Sequence, residues 1–300
     1  MFRQKITSKL LYFMLATLLL GATASMARSY PPEISDAQAY VYKKVDGHEM
    51  KLWVYSPKQS DQEVPAILFF FGGGWNGGSP EQFIWQSKHL ANRGMAGIVV
   101  DYRVKSRHGV RAVSCVGDAL DALRYVTANA AELGIDTHRI GVGGGSAGGH
   151  LAASLGTIHK DDPSAPKAMV LYNPVTILAP IPPGFVKHLR AGELVEMIKA
   201  RMASRKGDRR ARLGVEPVEL SPLHHVGVNT PPAIIFHGTN DTTVPYESAV
   251  LFKMHLEASQ IEVDLKTYKG AGHGFFNREP YLSQSTEQLD AFFVKLGWLK

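Results

Sequence analysis

Arg139-Ile140-Gly141-Val142-Gly143-Gly144-Gly145-Ser146-Ala147-Gly148-Gly149-His150 decides how the chain is read. Arg139 to Gly143 predicts a short strand, and an Ala/Leu-rich helix is expected from Ala147 to about Thr157. One serine stands on the turn between them, inside Gly144-x-Ser146-x-Gly148. A strand-to-helix turn that tight strains the serine backbone and exposes its hydroxyl, and glycines on either side let the helix pass the strand. The helix amino end adds favourable electrostatics for a developing anion. A glycine-rich phosphate turn is the competing reading. It fits less well, because no G-x-G-x-x-G opens the first βαβ unit and no Lys-Ser/Thr pair of a P-loop is present.

Outward from the turn, strands and helices alternate. Met50–Tyr55 alternates like a strand, and Val64-Pro65-Ala66-Ile67-Leu68-Phe69-Phe70-Phe71 is continuously apolar, as a strand covered on both faces must be. Further strands are predicted at Met95–Tyr102, Ala168–Tyr172, Ala233–His237 and 261–268. Helices are predicted from Ser79-Pro80-Glu81 onward, at 114–132, at Tyr246–Ser259 and at 282–296. The alternation implies a mostly parallel central sheet with helices on both faces. Residues 179–216 break the rhythm with Pro180, Pro182 and Pro183, then a charged helical stretch carrying Lys199, Arg201, Arg205, Lys206, Arg209, Arg210 and Arg212. They are expected to form a small helical cap insertion. Its basic run reads as a solvated face or as a docking surface for an acidic polymer.

The amino terminus reads as a signal peptide over residues 1–27. Arg3, Lys5 and Lys9 precede the apolar run Leu10–Leu20, and Ala22-Thr23-Ala24 or Ser25-Met26-Ala27 supplies a cleavage site. Eleven apolar residues are too few to span about 30 Å of hydrocarbon, so no stable membrane insertion is expected after cleavage. The expected location is secreted or periplasmic, with one hydrolase domain over 28–300. The formal charge of +6 falls to +3 without the leader, too little for a nucleic-acid surface. The single cysteine, Cys115, sits among Val113, Val116, Ala119, Leu120 and Leu123 and reads as core packing. No metal or cofactor is signalled: there is no H-E-x-x-H, and the histidines do not cluster with carboxylates at ligand spacing. No feature fixes an oligomeric state.

A serine hydroxyl needs a base to take its proton. His273, in Gly270-Ala271-Gly272-His273-Gly274, lies late in the chain on a loop after the last strand. His224, His225, His237 and His255 compete from a Pro-flanked turn, a strand end and a helix. The imidazole needs a carboxylate to fix its tautomer. Asp241, just past the strand ending at His237, has the chain order Ser, Asp, His of nucleophile-elbow enzymes. Its rivals Glu247 and Asp264 fall in a helix and a strand. Amide donors for the oxyanion are expected from Ala147 and from Gly73 and Gly74 in Gly72-Gly73-Gly74-Trp75. Trp75 is the candidate substrate-binding aromatic.

These motifs in this order resemble the α/β-hydrolase fold, in its hormone-sensitive-lipase-like acetyl esterase branch. More narrowly, the chain resembles secreted bacterial esterases grouped with acetyl xylan and feruloyl esterases. The likeness runs from about Tyr40 to Trp298 and fails mainly in 179–216. Phe71 stands where the branch carries a histidine, so the loop Gly72–Trp75 must be held some other way. Asp101 and Arg103 read as structural. The resemblance implies a carboxylesterase acting on a small ester or an acetylated carbohydrate, with no nucleic-acid partner. Two readings compete: a serine oligopeptidase, for which the chain has no room for a gating domain, and an inactive binding protein, which would have lost the serine or the histidine.

Overall fold

The computed structural model describes residues 30–58, 62–183, 191–203 and 208–300; the predicted signal peptide lies outside them. The apolar runs become one eight-stranded sheet: β1 (Gln38–Val45), β2 (His48–Tyr55), β3 (Val64–Phe70), β4 (Ala96–Val100), β5 (Ile135–Gly145), β6 (Ala168–Tyr172), β7 (Ala233–Gly238) and β8 (Val263–Tyr268). The spatial order is β1-β2-β4-β3-β5-β6-β7-β8. Pairing from β4 through β8 is parallel, and β2 alone is reversed, pairing antiparallel with both of its neighbours, β1 and β4. The sheet lies within the compact unit Ile34–Lys300. This is the α/β-hydrolase fold expected from the sequence.

Side chains alternate across the sheet and fill two cores. Leu52, Leu68, Phe70, Ile98, Val142, Leu171 and Ile235 face one side. There they meet α2 (Ala112–Ala128), α3 (Ala147–Thr157) and α6 (Tyr246–Ala258). Trp53, Ile67, Phe69, Val99, Val170, Tyr172 and Phe236 face the other side. They are covered by Leu90 of α1 (Ile84–Asn92) and by Leu289, Phe292 and Phe293 of α7 (Tyr281–Lys295). Each fully buried Leu or Phe contributes roughly 1.5–3 kcal/mol over an exposed one. Within 179–216, α4 (Gly192–Ala203) buries Val195 and Ile198, and α5 (Arg209–Leu213) buries Leu213; 184–190 and 204–207 lie outside the described residues.

The structure adds one strand to the sequence reading and moves two boundaries. The edge strand β1 escaped prediction, because an edge strand with one inward face needs few apolar residues and only Tyr42 of its eight is buried. The turn joining it to β2 is Asp46-Gly47, both at positive φ (50° and 76°), the dipeptide favoured in two-residue hairpins. β5 begins at Ile135 rather than Arg139, since its exposed first half carries no apolar run. The helix predicted over 114–132 ends at Ala128, and a separate turn, Ala130–Leu133, follows Asn129.

Candidate active site

The register of the sheet brings the pieces together. Phe70 of β3 pairs with Gly144 of β5, so the loop after β3 and the serine after β5 leave the sheet side by side. Ser146 has φ 55° and ψ −115°, a strained conformation for a non-glycine residue. Its amide donates to Tyr172 O at 2.9 Å, which ties the turn to β6. The flanking glycines are forced by contact. A Cβ on Gly144 would sit 2.5 Å from Phe70 O, and one on Gly148 would run into Phe70 O and Phe71 O.

His273 reaches the serine from the loop after β8. Its Nε2 lies 2.9 Å from Ser146 Oγ, and its Nδ1 lies 2.7 Å from Asp241 Oδ2. A carboxylate only accepts, so Nδ1 carries the proton and Nε2 is left bare to receive the hydroxyl proton. Asp241 is fully buried, and its Oδ1 accepts the amides of Thr243 and Val244, both at 2.8 Å. Burial alone would raise this carboxyl; hydrogen bonds from His237, His273 and the Val244 amide outweigh it and hold Asp241 well below the usual carboxylate range. The two loops are stitched together: Gly270 N donates to Thr239 Oγ1 at 2.8 Å and Asn240 N to Ala271 O at 3.0 Å. Of the rivals, Asp264 lies on β8 paired with Lys266, Glu247 is in α6, and His224 bonds Ser221 and Pro180.

Gly72, Gly73 and Gly74 lie against this serine. A Cβ on Gly72 would stand 3.3 Å from Ser146 Cβ, and Gly73, Gly74 and Trp75 take φ of 131°, 65° and 60°. In place of the expected histidine, Phe71 is buried and stacked on Tyr102 at 4.1 Å, and Tyr102 Oη donates to Phe71 O at 2.7 Å. Gln82 Oε1 accepts the Gly72 amide at 2.6 Å, and Arg212 Nη2 donates to Gly74 O at 3.0 Å. Those side chains supply the anchoring. The amides of Gly73, Gly74 and Ala147 have no acceptor among the described residues, so they are available to an oxyanion. Trp75 itself is only 6% exposed. Arg212 covers its ring at 5.0 Å and His150 meets it edge-on at 5.1 Å, so it offers substrate no open flat face.

Further residues support these loops, and Asn173 among them escaped the sequence reading. Asn173, at φ 36° and fully buried at the end of β6, accepts the Gly274 amide on Oδ1 at 3.1 Å and so fixes the residue after His273. His237 places Nε2 3.3 Å from Asp241 Oδ2 and 3.0 Å from Val244 O, a second histidine on the same carboxylate. The Asp101–Arg103 segment is structural: Arg103 grips the buried Asp118 with two nitrogens at 2.9 Å, and the Asp101 carboxylate accepts the Tyr102 amide. Cys115 is buried, donates to Arg103 O at 3.2 Å, and has its thiol pushed up to about 12 by burial.

Residues 52–256 match the sequence model of the BD-FAE family. The chain belongs to the BD-FAE family. Residues 218–299 also match the dienelactone hydrolase family. The ethyl acetate hydrolase of Pseudomonas putida is 28% identical over 253 residues, covering 81% of this chain and 77% of its own. Among solved structures, the apo form of Thermogutta terrifontis esterase 2 is 40% identical with a TM-score of 0.80, covering 91% of this chain and 99% of that one. The same esterase phosphorylated by paraoxon is 40% identical with a TM-score of 0.77, covering 90% and 98%. With propionate bound it is 41% identical with a TM-score of 0.78, again covering 90% and 98%. This BD-FAE member is a carboxylesterase of the α/β-hydrolase fold.

Proposed function

We propose that this BD-FAE member hydrolyses short-chain esters, acetyl first, of a carbohydrate or another polar alcohol through an acyl-enzyme on Ser146. The hydrogen-bonded chain Ser146–His273–Asp241, at 2.9 and 2.7 Å, carries the reading. Ser146 Oγ attacks the ester carbonyl carbon as His273 Nε2 takes its proton. The carbonyl oxygen gains negative charge against the amides of Ala147, Gly73 and Gly74. The tetrahedral species collapses, the alcohol leaves with the proton from His273, and water repeats the sequence on the acyl-serine to release the acid. Asp241, ionised across the working range, holds the imidazole in the required tautomer and stabilises the imidazolium.

Three observations support the finer statements. A relative named ethyl acetate hydrolase and a propionate-bound relative favour small acyl groups. Phosphorylation of the latter by paraoxon favours a covalent nucleophile. The leader-like residues 1–27 favour export, and the charge of residues 179–216 argues against a lid for lipid surfaces. Ser146→Ala is expected to lower kcat about a million-fold with the fold intact, and paraoxon should add one phosphoryl group to the wild type and none to the variant. Acetic acid release from acetylated xylan, beside a chain-length series of p-nitrophenyl esters, tests the substrate. A maximum at about eight carbons or more, without polysaccharide deacetylation, would sink the acetyl assignment and leave the serine chemistry standing.

A further inference from the structure

Beside the Gly72–Trp75 loop lies a cavity of about 610 Å³ whose charged lining residues are three cations and one carboxylate. Lys105, Arg111 and Arg212 border it, together with Gly74, Trp75 and Asp208. Among the described residues none of the three cations has a carboxylate partner. Asp208 is the one acidic residue in the lining, and its Oδ1 accepts the Ala211 amide at 3.1 Å as the cap of α5. Arg212 spends one nitrogen on Gly74 O and lays its guanidinium over the Trp75 ring. Arg111 makes no side-chain bond to the amino end of α2, and the first turn of that helix has no acidic residue to offset its dipole. The cavity is therefore positive, with two planar guanidinium forks suited to a carboxylate.

Its position gives the charge a purpose. Gly74 and Trp75 belong both to the cavity wall and to the loop whose first glycine packs on Ser146. A group anchored there lies beside the loop that packs on Ser146. We propose that this cavity binds a carboxylate carried by the alcohol part of the substrate, so that the enzyme favours acetyl esters of acidic sugars over those of neutral ones. This rests on the esterase reading of Ser146 and adds to it the class of alcohol. Fixing the anion orients the scissile ester, so the gain appears in kcat/KM of charged substrates only.

The test uses the full-length mature enzyme and two substrate pairs: 4-acetoxybenzoate against 4-methylphenyl acetate, and acetylated polygalacturonate against acetylated neutral mannan. The wild type is expected to prefer the charged member of each pair. The preference ratio should fall about threefold in Lys105→Ala and in Arg111→Ala and about tenfold in the double variant. About 0.5 M NaCl should erode it in the wild type as well. Both side chains are exposed, and unchanged circular dichroism and thermal midpoints will show that the variants fold. A wild type that favours neutral esters, or a double variant that keeps the full preference, overturns the proposal. Acetic acid from neither polysaccharide refutes carbohydrate esters as substrates, and the small-ester pair then decides the cavity by itself.

Discussion

His150, one helical turn after Ser146, makes the enzyme's stability depend on pH in a calculable way. The side chain is fully buried: Nε2–H donates to Leu220 O at 2.7 Å, and Nδ1 is enclosed without a hydrogen-bond partner among the described residues. Burial pushes its titration down from 6.5 to about 4. In the unfolded chain the ring takes its proton near 6.5. Above that pH both states are neutral and the residue adds no pH dependence. Between 6.5 and about 4 the unfolded state binds a proton that the folded state refuses, so stability falls as the solution is acidified. At 1.36 kcal/mol per pH unit the gap amounts to about 3 kcal/mol, fully lost below pH 4. The perturbation is His150→Gln, which keeps a donor for Leu220 O and removes the titration. Urea unfolding of wild type and variant is followed from pH 7.5 to pH 4 by tryptophan fluorescence. The variant is expected to be the less stable protein at pH 7, and the difference should shrink by about 3 kcal/mol as the pH falls. Contributions common to both proteins, Asp241 included, cancel in that difference. Two curves that stay parallel down to pH 4 would refute the argument.

Three other outcomes follow from the geometry. Asp241→Asn should lower kcat about a thousandfold or more by releasing the wrong imidazole tautomer, whereas Asp264→Asn, on a side chain 44% exposed, should leave ester hydrolysis within twofold or so; equal losses would reassign the acid. Gly148→Ala drives a Cβ into two carbonyl oxygens of the β3 end and should cost about 3 kcal/mol, read as a drop in the denaturant midpoint. Gln82→Leu frees the Gly72 amide and should reduce kcat about tenfold with KM little changed, while a variant with full activity would show that the loop holds itself.

The parts of this molecule written in local sequence were legible. The run from Val64 to Phe71 needed only its continuous apolarity, and the turn at Ser146 needed only its glycines between a strand and a helix. Ser146, His273 and Asp241 could be chosen because each sits on a loop at a strand end, in an order that one known sheet topology uses, and the structure brings these three together. What the sequence hid is long-range polar pairing. Gln82 looks like an ordinary residue in the first turn of a helix until its carbonyl is seen on Gly72 N. Tyr102 read as the end of a strand, yet its hydroxyl holds Phe71 O from 31 residues away. Asn173 and His237 support the His273 loop and the Asp241 carboxylate through contacts that no period or motif encodes. Trp75 shows the opposite error: an aromatic after a glycine loop invites a binding role, but Arg212, 137 positions later, covers it.

The pairing of Phe70 with Gly144 means that two halves of the reacting centre are spaced by a ladder of main-chain hydrogen bonds. Distances set this way come from the main chain, with Gly143, Gly144 and Gly145 leaving the room the neighbouring strands and rings require. They are intolerant of a change in count. Slipping β3 by one residue would carry Gly72 about 3.3 Å along the strand and exchange Phe69 and Phe70 between the two cores. Insertions and deletions should therefore be admitted at the amino ends of these strands and excluded at their carboxyl ends. The enzyme's alignment is stored in chain length, and its specificity is left to the loops and helices above.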